Sequence, residues 1–211
     1  MMQIVSINIG KAQAIEAKSG QSGIFKYPVT KAVAITEEGL EHDVIVDTEN
    51  HGGKDQAVYI YGMPDYTWWS AELGRELKAG TFGENITISE LESASLCIGD
   101  RLRMGDVLLE ITSPRIPCVT LATRMDDPQF VKKFLQAGRY GAYCRVIETG
   151  SINTEDAVIL LPYDGERVSI NELADAFYAK EVSEKQIKRF LSVPIIDKGR
   201  DHYQSKLEEL T

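Results

Sequence analysis

Short apolar segments, each bounded by glycine, proline or aspartate, fill the first three-quarters of the chain and constrain its fold more than any other feature. These segments have the length and apolar content of β-strands. They lie at residues 3–9, 32–35, 58–61, 85–88, 101–104, 107–113, 141–147 and 157–161. Many short strands at modest spacing favour a barrel or closed sheet, because closure removes unpaired edges. Gly105 and Asp106 separate two of the strands and predict a hairpin turn.

Two helices are predicted between the strands. The first follows Pro64 and places Trp69 on an apolar stripe that is typical of core packing. The second is predicted to begin with Asp127 as its N-cap and Pro128 at its first helical position, and to end at Gly138.

The composition changes after Pro162, where helical patterns replace the strands. Capping-box sequences at residues 169–172 and 183–186 each predict a helix start, and apolar residues at helical spacing continue towards the terminus. Helices this short are not stable alone, so they must pack on one another, on the barrel or on a second subunit. The chain is therefore predicted to be mainly β with helices: a β-barrel domain at residues 1–165, followed by a small three-helix C-terminal extension at residues 166–211.

Length, composition and charge exclude several classes of protein. A chain of 211 residues, 43% hydrophobic and 26% charged, suits one soluble globular domain with a small appendage. A formal net charge of -9 opposes non-specific nucleic-acid binding, although local basic groups can still hold an anionic cofactor. The sequence shows no apolar run of membrane-helix length and no signal-peptide layout. We therefore expect a cytoplasmic protein with neither nucleic-acid nor membrane partners.

One of the three cysteines, Cys118, lies where its thiol is suited to react or to bind a metal. The sequence SPRIPC at residues 113–118 follows an apolar strand, and its two prolines force the chain into a stiff loop. Cys118 therefore lies at the end of a strand beside Arg115, whose charge favours the thiolate that attacks electrophiles or binds soft metals. Cys97 and Cys144 fall among strand residues and are interpreted as core thiols.

Two glycine-containing loops precede other predicted strands. They have the sequences HGGKDQ at residues 51–56 and GTFGEN at residues 80–85. Glycine permits positive φ and close approach of backbone amides to a ligand, often an anionic one, although each loop would also serve as an ordinary turn. Together with the Cys118 loop, they predict a polar rim at the strand ends.

These motifs together resemble the MOSC domain, named for the C-terminal part of molybdenum-cofactor sulfurases. The resemblance consists of HGGxDxAV at residues 51–58, FGEN at 82–85, GD at 99–100 and SPRxPC at 113–118. It spans roughly residues 1–162, and the tail is similar to the three-helix extension of the stand-alone bacterial YiiM-like branch. Many relatives have a Gly-Asp-Arg-like triplet where this chain has Glu41, His42 and Asp43. We interpret Asp43 as a solvated loop residue.

The resemblance implies a molybdenum cofactor (molybdopterin). The family is also associated with pyridoxal phosphate binding, which the resemblance therefore implies as well. Cys118 would be the catalytic residue and the thiolate ligand of molybdenum, and Arg115 would pair with the phosphate or the pterin. The other implied cofactor-binding residues lie in the two glycine loops. They are His51, Gly52, Gly53, Asp55, Phe82, Gly83, Glu84 and Asn85.

Relatives in the family reduce N-hydroxylated compounds, and the YiiM-like branch is associated with detoxification of N-hydroxylated purine bases. The implied reaction is reduction of a small-molecule R–NHOH to R–NH2. No Rossmann, iron–sulfur or flavin motif is visible in the sequence, so a separate electron-donating reductase is implied as a partner. The helical extension would dock that reductase, pack on the barrel or form a homodimer.

Other functions remain open at this point. Cys118 would also suit a non-catalytic carrier of the cofactor or of sulfur, because a reactive thiolate can hold either. Hydrolysis by a Cys–His pair would need His51 or His42 close to Cys118. Aromatic residues suited to stacking on a planar substrate, or equally to packing the barrel, are Tyr59, Tyr61, Phe82 and Tyr140.

Overall fold

The computed structural model describes residues 1–17 and 20–210. Its strands are β1 Ile4–Gly10, β2 Gln13–Ala14, β3 Gln21–Ser22, β4 Lys26–Val29, β5 Val33–Thr36, β6 Gly39–Leu40, β7 Val58–Gly62, β8 Ile86–Ile88, β9 Arg101–Met104, β10 Val107–Pro114, β11 Ala142–Glu148, β12 Gly150–Ile152 and β13 Val158–Leu161. Its α-helices are α1 Thr48–His51, α2 Met63–Leu73, α3 Val119–Met125, α4 Phe130–Ala137, α5 Ile170–Tyr178, α6 Glu184–Leu191 and α7 Asp197–Glu209. Single 3-10 turns lie at Lys54–Gln56 and Ser93–Ser95.

The strands confirm a mainly β fold with helices. Within residues 1–17 and 20–210, the largest sheet has eight strands in the order β13-β9-β10-β11-β7-β8-β1-β4. Its pairs are antiparallel except for β7 and β8, which run parallel. A bridge between Gln3 and Ala157 links the start of β1 to β13. The strand order of the described residues nevertheless runs open from β13 to β4, so the predicted closed barrel is not shown.

The predicted hairpin is confirmed, and it leads to the Cys118 loop. Met104 pairs with Val107, so Gly105 and Asp106 form the turn between β9 and β10. Strand β10 is buried along its whole length and ends at Pro114. Helix α3 begins five residues later at Val119, with Cys118 at its N-cap position. Cys118 is therefore held between a core strand and a helix.

The helices between the strands partly differ from prediction. Trp69 is fully buried, as predicted, and its ring lies 5.0 Å from that of Phe130. The prediction that Asp127 and Pro128 start a helix is wrong, because α4 begins at Phe130. Asp127 instead accepts a hydrogen bond from the Gln129 amide at 2.8 Å, which stabilises a turn before the helix. Helix α4 ends at Ala137, and Gly138, the residue predicted to stop it, is its C-cap.

The three C-terminal helices pack against the main sheet. Ser169 and Ser183 cap α5 and α6, which confirms both predicted helix starts. The Ile98 amide donates to the Val168 carbonyl at 2.8 Å, which joins the extension to the segment before β9. The fully buried side chains of this region, including Phe190, belong to the same apolar core as the strands. In the described ranges, no helix is long and apolar enough to cross a membrane.

Candidate functional site

A pocket opens where the Cys118 loop, the two glycine loops and residues 43–47 meet. Its empty volume is about 570 Å³, including open solvent at the mouth. The lining residues are Ser22, Gly23, Ile24, Lys26, Asp43, Val44, Ile45, Val46, Asp47, His51, Gln56, Tyr59, Gly83, Asn85, Arg115, Cys118, Thr120 and Tyr143. The structure therefore brings five of the predicted site residues together: His51, Gly83, Asn85, Arg115 and Cys118.

Cys118 presents a thiolate to this pocket. Its Sγ lies 3.6 Å from Nε2 of His51, within hydrogen-bonding distance for sulfur. Burial acts to raise the pKa of Cys118, but the hydrogen bond with His51, the charge of Arg115 and the Leu121 amide outweigh it. The resulting pKa of Cys118 is lowered to about 6. The group is therefore mostly a thiolate at neutral pH, which is the form that binds soft metals and attacks electrophiles.

His51 joins Cys118 to a tyrosine. The Nδ1 atom of His51 lies 3.5 Å from the hydroxyl of Tyr143, so both ring nitrogens of His51 have polar neighbours. Burial raises the pKa of Tyr143, which keeps its hydroxyl protonated. The sequence left open which histidine approaches Cys118, and the structure shows that His51 does. The three side chains form a connected Cys–His–Tyr group on the pocket wall.

Arg115 supplies a buried cation to the same wall. The residue is only 4% exposed, and its guanidinium lies over the rings of Tyr59 and Phe134, 5.6 and 6.0 Å from their centroids. Its Nη1 atom is buried and has no hydrogen-bond partner. An unpaired buried donor is costly, and an anionic group bound in the pocket would satisfy it. This orphaned donor is the feature that best fits a phosphate-bearing cofactor.

A buried ion pair that sequence reasoning missed forms another wall. Lys26 pairs with Asp43, whose side chain is 5% exposed and also accepts hydrogen bonds from Asn85 at 2.9 Å and the Gly10 amide at 2.7 Å. The prediction that Asp43 is solvated is therefore wrong, because three donors converge on its carboxylate. Burial lowers the pKa of Lys26, although Asp43 opposes the shift. No motif surrounds Lys26, so no sequence signal could have assigned it.

The second glycine loop divides its residues between the pocket and the core. Gly83 and Asn85 line the pocket. Phe82 is fully buried against the aromatic core, with its ring 4.7 Å from that of Tyr61. Glu84 also faces inward, and its Oε1 accepts from the Tyr66 hydroxyl at 2.5 Å. Phe82 and Glu84, predicted to bind the cofactor, therefore lie outside the lining, because both side chains are buried in the interior.

The first glycine loop contributes only His51 from the predicted set. Gly52 is buried against Thr48, where a Cβ atom would lie 2.9 Å from the Thr48 Cα. Gly53 is exposed and has a φ of 96°. The Asp55 carboxylate points towards α7 and accepts from the Asp197 amide at 2.7 Å. Neither glycine nor Asp55 is part of the pocket lining.

The remaining cysteines and aromatic residues are mostly structural. Cys97 and Cys144 are buried, which confirms them as core thiols, and burial raises the pKa of each. Of the aromatic residues considered for stacking, Tyr59 lines the pocket, whereas Tyr61, Phe82 and Tyr140 are buried elsewhere in the core. Within the described part of the chain, no three His, Cys, Asp or Glu side chains are grouped so that they could hold a metal ion.

The fold and the pocket define a class of protein: a sheet-rich domain with a helical extension and a reactive thiolate beside a buried guanidinium. The family profile described as MOSC domain matches residues 47–159. The chain is 33% identical over 210 residues to the Bacillus subtilis protein YflK, covering 98% of this chain and 95% of that protein. This chain belongs to the MOSC domain family.

Other relatives are similar over most or part of this chain. Escherichia coli YiiM is 29% identical over 198 residues, covering 92% of this chain and 88% of that protein. The crystal structure of YiiM from Geobacillus stearothermophilus has a TM-score of 0.82 and 31% identity, covering 98% of this chain and all of that chain. A Gibberella moniliformis protein named "Reductase" is 32% identical over 164 residues, which span 76% of this chain and 29% of that protein. The chain is thus a YiiM-like MOSC protein.

Proposed function

We propose that this chain is a cytoplasmic, molybdenum-cofactor-dependent reductase of N-hydroxylated compounds, in which Cys118 is the protein ligand of molybdenum. The observation that carries the proposal is the Cys118 thiolate on a pocket wall shared with the buried, unpaired Nη1 of Arg115. A molybdenum cofactor combines a soft metal with an anionic phosphate. The two groups on this wall match those two needs.

Different pocket residues would contact different parts of such a cofactor. Cys118 would bind the metal, and Arg115 would donate to the phosphate or the pterin through its planar fork. Asn85 is held in place by its hydrogen bonds to Asp43 and the Tyr59 amide, so it is preorganised to orient a bound ligand. When bound, the cofactor would supply two-electron redox chemistry at the metal.

The reaction proposed is R–NHOH plus two electrons and two protons giving R–NH2 and water, with cleavage of the N–O bond. The electrons would come from a separate reductase. His51 lines the pocket, and we assign its Nε2 as the donor of the proton that leaves with the hydroxyl oxygen. The Tyr143 hydroxyl near Nδ1 would hold the imidazole ring in position. N-hydroxylated purine bases are the proposed substrates, and the ring of Tyr59 on the pocket wall suits a planar base.

The name of the Gibberella moniliformis relative supports a reductase, although this chain spans only 29% of that protein. The alternative is a carrier that holds the cofactor or persulfide sulfur on Cys118 without turnover. The lowered pKa of Cys118, to about 6, favours this alternative as well, because it makes the thiolate available for either task.

Molybdenum content tests the role of Cys118. Protein purified from cells that make the cofactor should contain molybdenum in proportion to protein, measured by elemental mass spectrometry. Cys118→Ser should lose the metal while keeping its circular dichroism spectrum. Cys97→Ser is the control: it removes a buried thiol outside the pocket, and the variant should keep its molybdenum. Equal molybdenum in the Cys118→Ser protein would exclude Cys118 as the ligand.

A genetic experiment separates the reductase from the carrier. Cells lacking the gene are challenged in parallel with N-hydroxylated purines, hydroxylamine and hydroxamic acids. We expect selective sensitivity to the bases, rescued by the wild-type gene and not by the Cys118→Ser gene. If the purified wild-type protein contains molybdenum but cells lacking the gene are sensitive to none of the compounds, the carrier would be favoured.

A further inference from the structure

We infer that Asp55 is a positioning residue that anchors the His51 loop to the N-terminus of α7, so that the helical extension holds the Cys118–His51 pair together. The inference deepens the proposed function, since it concerns the same thiolate, and it assigns the extension a role in the site. It stands on a set of contacts among Asp55, Thr112, Arg145 and the start of α7.

The first contact is a helix cap supplied from a distant part of the chain. Asp197 is the first residue of α7, and Ile196 at the N-cap position provides no side-chain cap. The Asp55 carboxylate takes that place, because its Oδ2 accepts from the Asp197 amide at 2.7 Å. A carboxylate at this end is also favoured by the positive end of the helix dipole.

The second contact is an ion pair that includes the segment leading into α7. Oδ1 of Asp55 lies 3.0 Å from the guanidinium of Arg145. The same guanidinium donates to the carbonyls of Pro194 at 3.4 Å and Ile195 at 3.2 Å. Arg145 therefore holds Asp55 and the entry to α7 in one arrangement.

The third contact fixes the backbone at Asp55. The Thr112 hydroxyl donates to the Asp55 carbonyl at 2.6 Å, and the Thr112 carbonyl accepts from the Ile196 amide at 3.1 Å. Thr112 belongs to β10, the core strand that leads to Cys118. One strand residue thus contacts both the His51 loop and the extension.

The loop needs an anchor because two glycines separate His51 from the turn at Lys54–Gln56. Gly53 has a φ of 96°, a conformation that only glycine adopts at low cost and can leave easily. With its end held at Asp55, the loop keeps Nε2 of His51 3.6 Å from Cys118 Sγ. Without the anchor, we expect His51 to withdraw and the thiolate to lose a partner.

The experiment removes one hydrogen bond. Asp197→Pro deletes the amide that Asp55 accepts, and proline is tolerated at the first position of a helix. Ile196 already has the extended backbone that precedes proline, with φ -51° and ψ 139°. Asp197→Ala is the matched control, because it removes the same side chain and keeps the amide. The readout is the pH dependence of Cys118 alkylation by iodoacetamide in protein from cells that cannot make the molybdenum cofactor, where the thiol is free, followed by mass spectrometry of the Cys118 peptide.

We expect Asp197→Pro to raise the apparent pKa of Cys118 by about one unit, a roughly tenfold loss of thiolate at acidic pH. The alanine control should match the wild type. Asp55→Ala should raise the pKa of Cys118 as well, and Asp55→Asn less, since asparagine keeps an acceptor for the Asp197 amide. A purely electrostatic effect has the opposite sign, because deleting a negative charge lowers the pKa of a thiol.

An unchanged or lowered pKa of Cys118 in Asp197→Pro and Asp55→Ala, with helix content retained, would overturn the inference. The alkylation measurement needs neither molybdenum nor substrate. If the pKa rises, while protein from cells that make the cofactor contains no molybdenum and the gene rescues nothing, the positioning role stands and the proposed reductase falls.

Discussion

At the scale of single residues, Arg115 affects both the reactivity of the pocket and its ability to hold an anion. Its charge is one of the causes of the low pKa of Cys118, and its unpaired Nη1 is a donor ready for a ligand. Lysine would keep the charge but lose the planar fork, so the two contributions can be separated.

Arg115→Ala should raise the pKa of Cys118 above its value of about 6, because a neighbouring cation stabilises the thiolate. Alkylation at pH 6 should therefore slow, while at pH 10, where both proteins hold a thiolate, the rates should converge. Arg115→Lys should keep a low pKa and still retain less cofactor.

The pH profile of alkylation, measured on cofactor-free protein, and the molybdenum content of protein from cells that make the cofactor together check this prediction. Identical profiles for the wild type and Arg115→Ala would mean that Arg115 only positions the loop. Because Arg115 is buried, each variant is first compared with the wild type by circular dichroism.

At the scale of elements, the segment between α2 and β8 must approach the chain before β4 very closely. Gly83 has a φ of 79°, and a Cβ atom there would lie 2.9 Å from Cγ1 of Ile24. Gly105, in the β9–β10 turn, has a φ of 57° and open space around it. A side chain at either position would be strained by the positive φ, but only a side chain at Gly83 would also meet a close neighbour.

Gly83→Ala should therefore destabilise the protein more than Gly105→Ala. The turn substitution carries the strain of a left-handed residue, about 1–2 kcal/mol. The substitution at Gly83 adds the clash with Ile24, so we expect a further loss of about 1 kcal/mol or more. Urea unfolding of the two variants measures the difference, and equal losses would show that Ile24 moves aside at little cost.

At the scale of the whole molecule, the strands and the C-terminal helices share one core. Buried side chains of both regions, including Ile111 of β10 and Ile170 of α5, belong to one apolar cluster. A backbone β-bridge between Cys97, in the segment before β9, and Ser169, at the start of α5, also joins the two regions. The division at residues 165 and 166 therefore remains a prediction about chain organisation, while the packing favours one folding unit.

A chain ending at residue 165 should lose cooperative unfolding, because removing the helices exposes the apolar surface that they cover. The full chain should melt in a single transition. Calorimetry of both proteins tests this, with a chain shortened only by residues 210–211 as the control. A sharp transition in the 1–165 chain would show that the strands fold without the extension.

The amino-acid sequence by itself determined the features that depend on neighbouring residues. The hairpin at Gly105 and Asp106, the caps at Ser169 and Ser183 and the C-cap of α4 at Gly138 follow from backbone preferences that act over a few residues. The motifs also identified the family, because their order along the chain is specific even though each is short. Cys118 and Arg115 were found in this way, three residues apart in one motif.

Only the tertiary structure decided which distant side chains meet. His51 and Cys118 are 67 residues apart, and no local pattern could show that they lie within 3.6 Å of each other. Lys26 and the burial of Asp43 follow from a pairing between separate segments. Whether a motif residue faces the pocket, as Asn85 does, or another element, as Asp55 does, depends on what packs against each side of its loop. These contacts are set by how the whole chain packs, so they lie beyond the reach of propensity and periodicity.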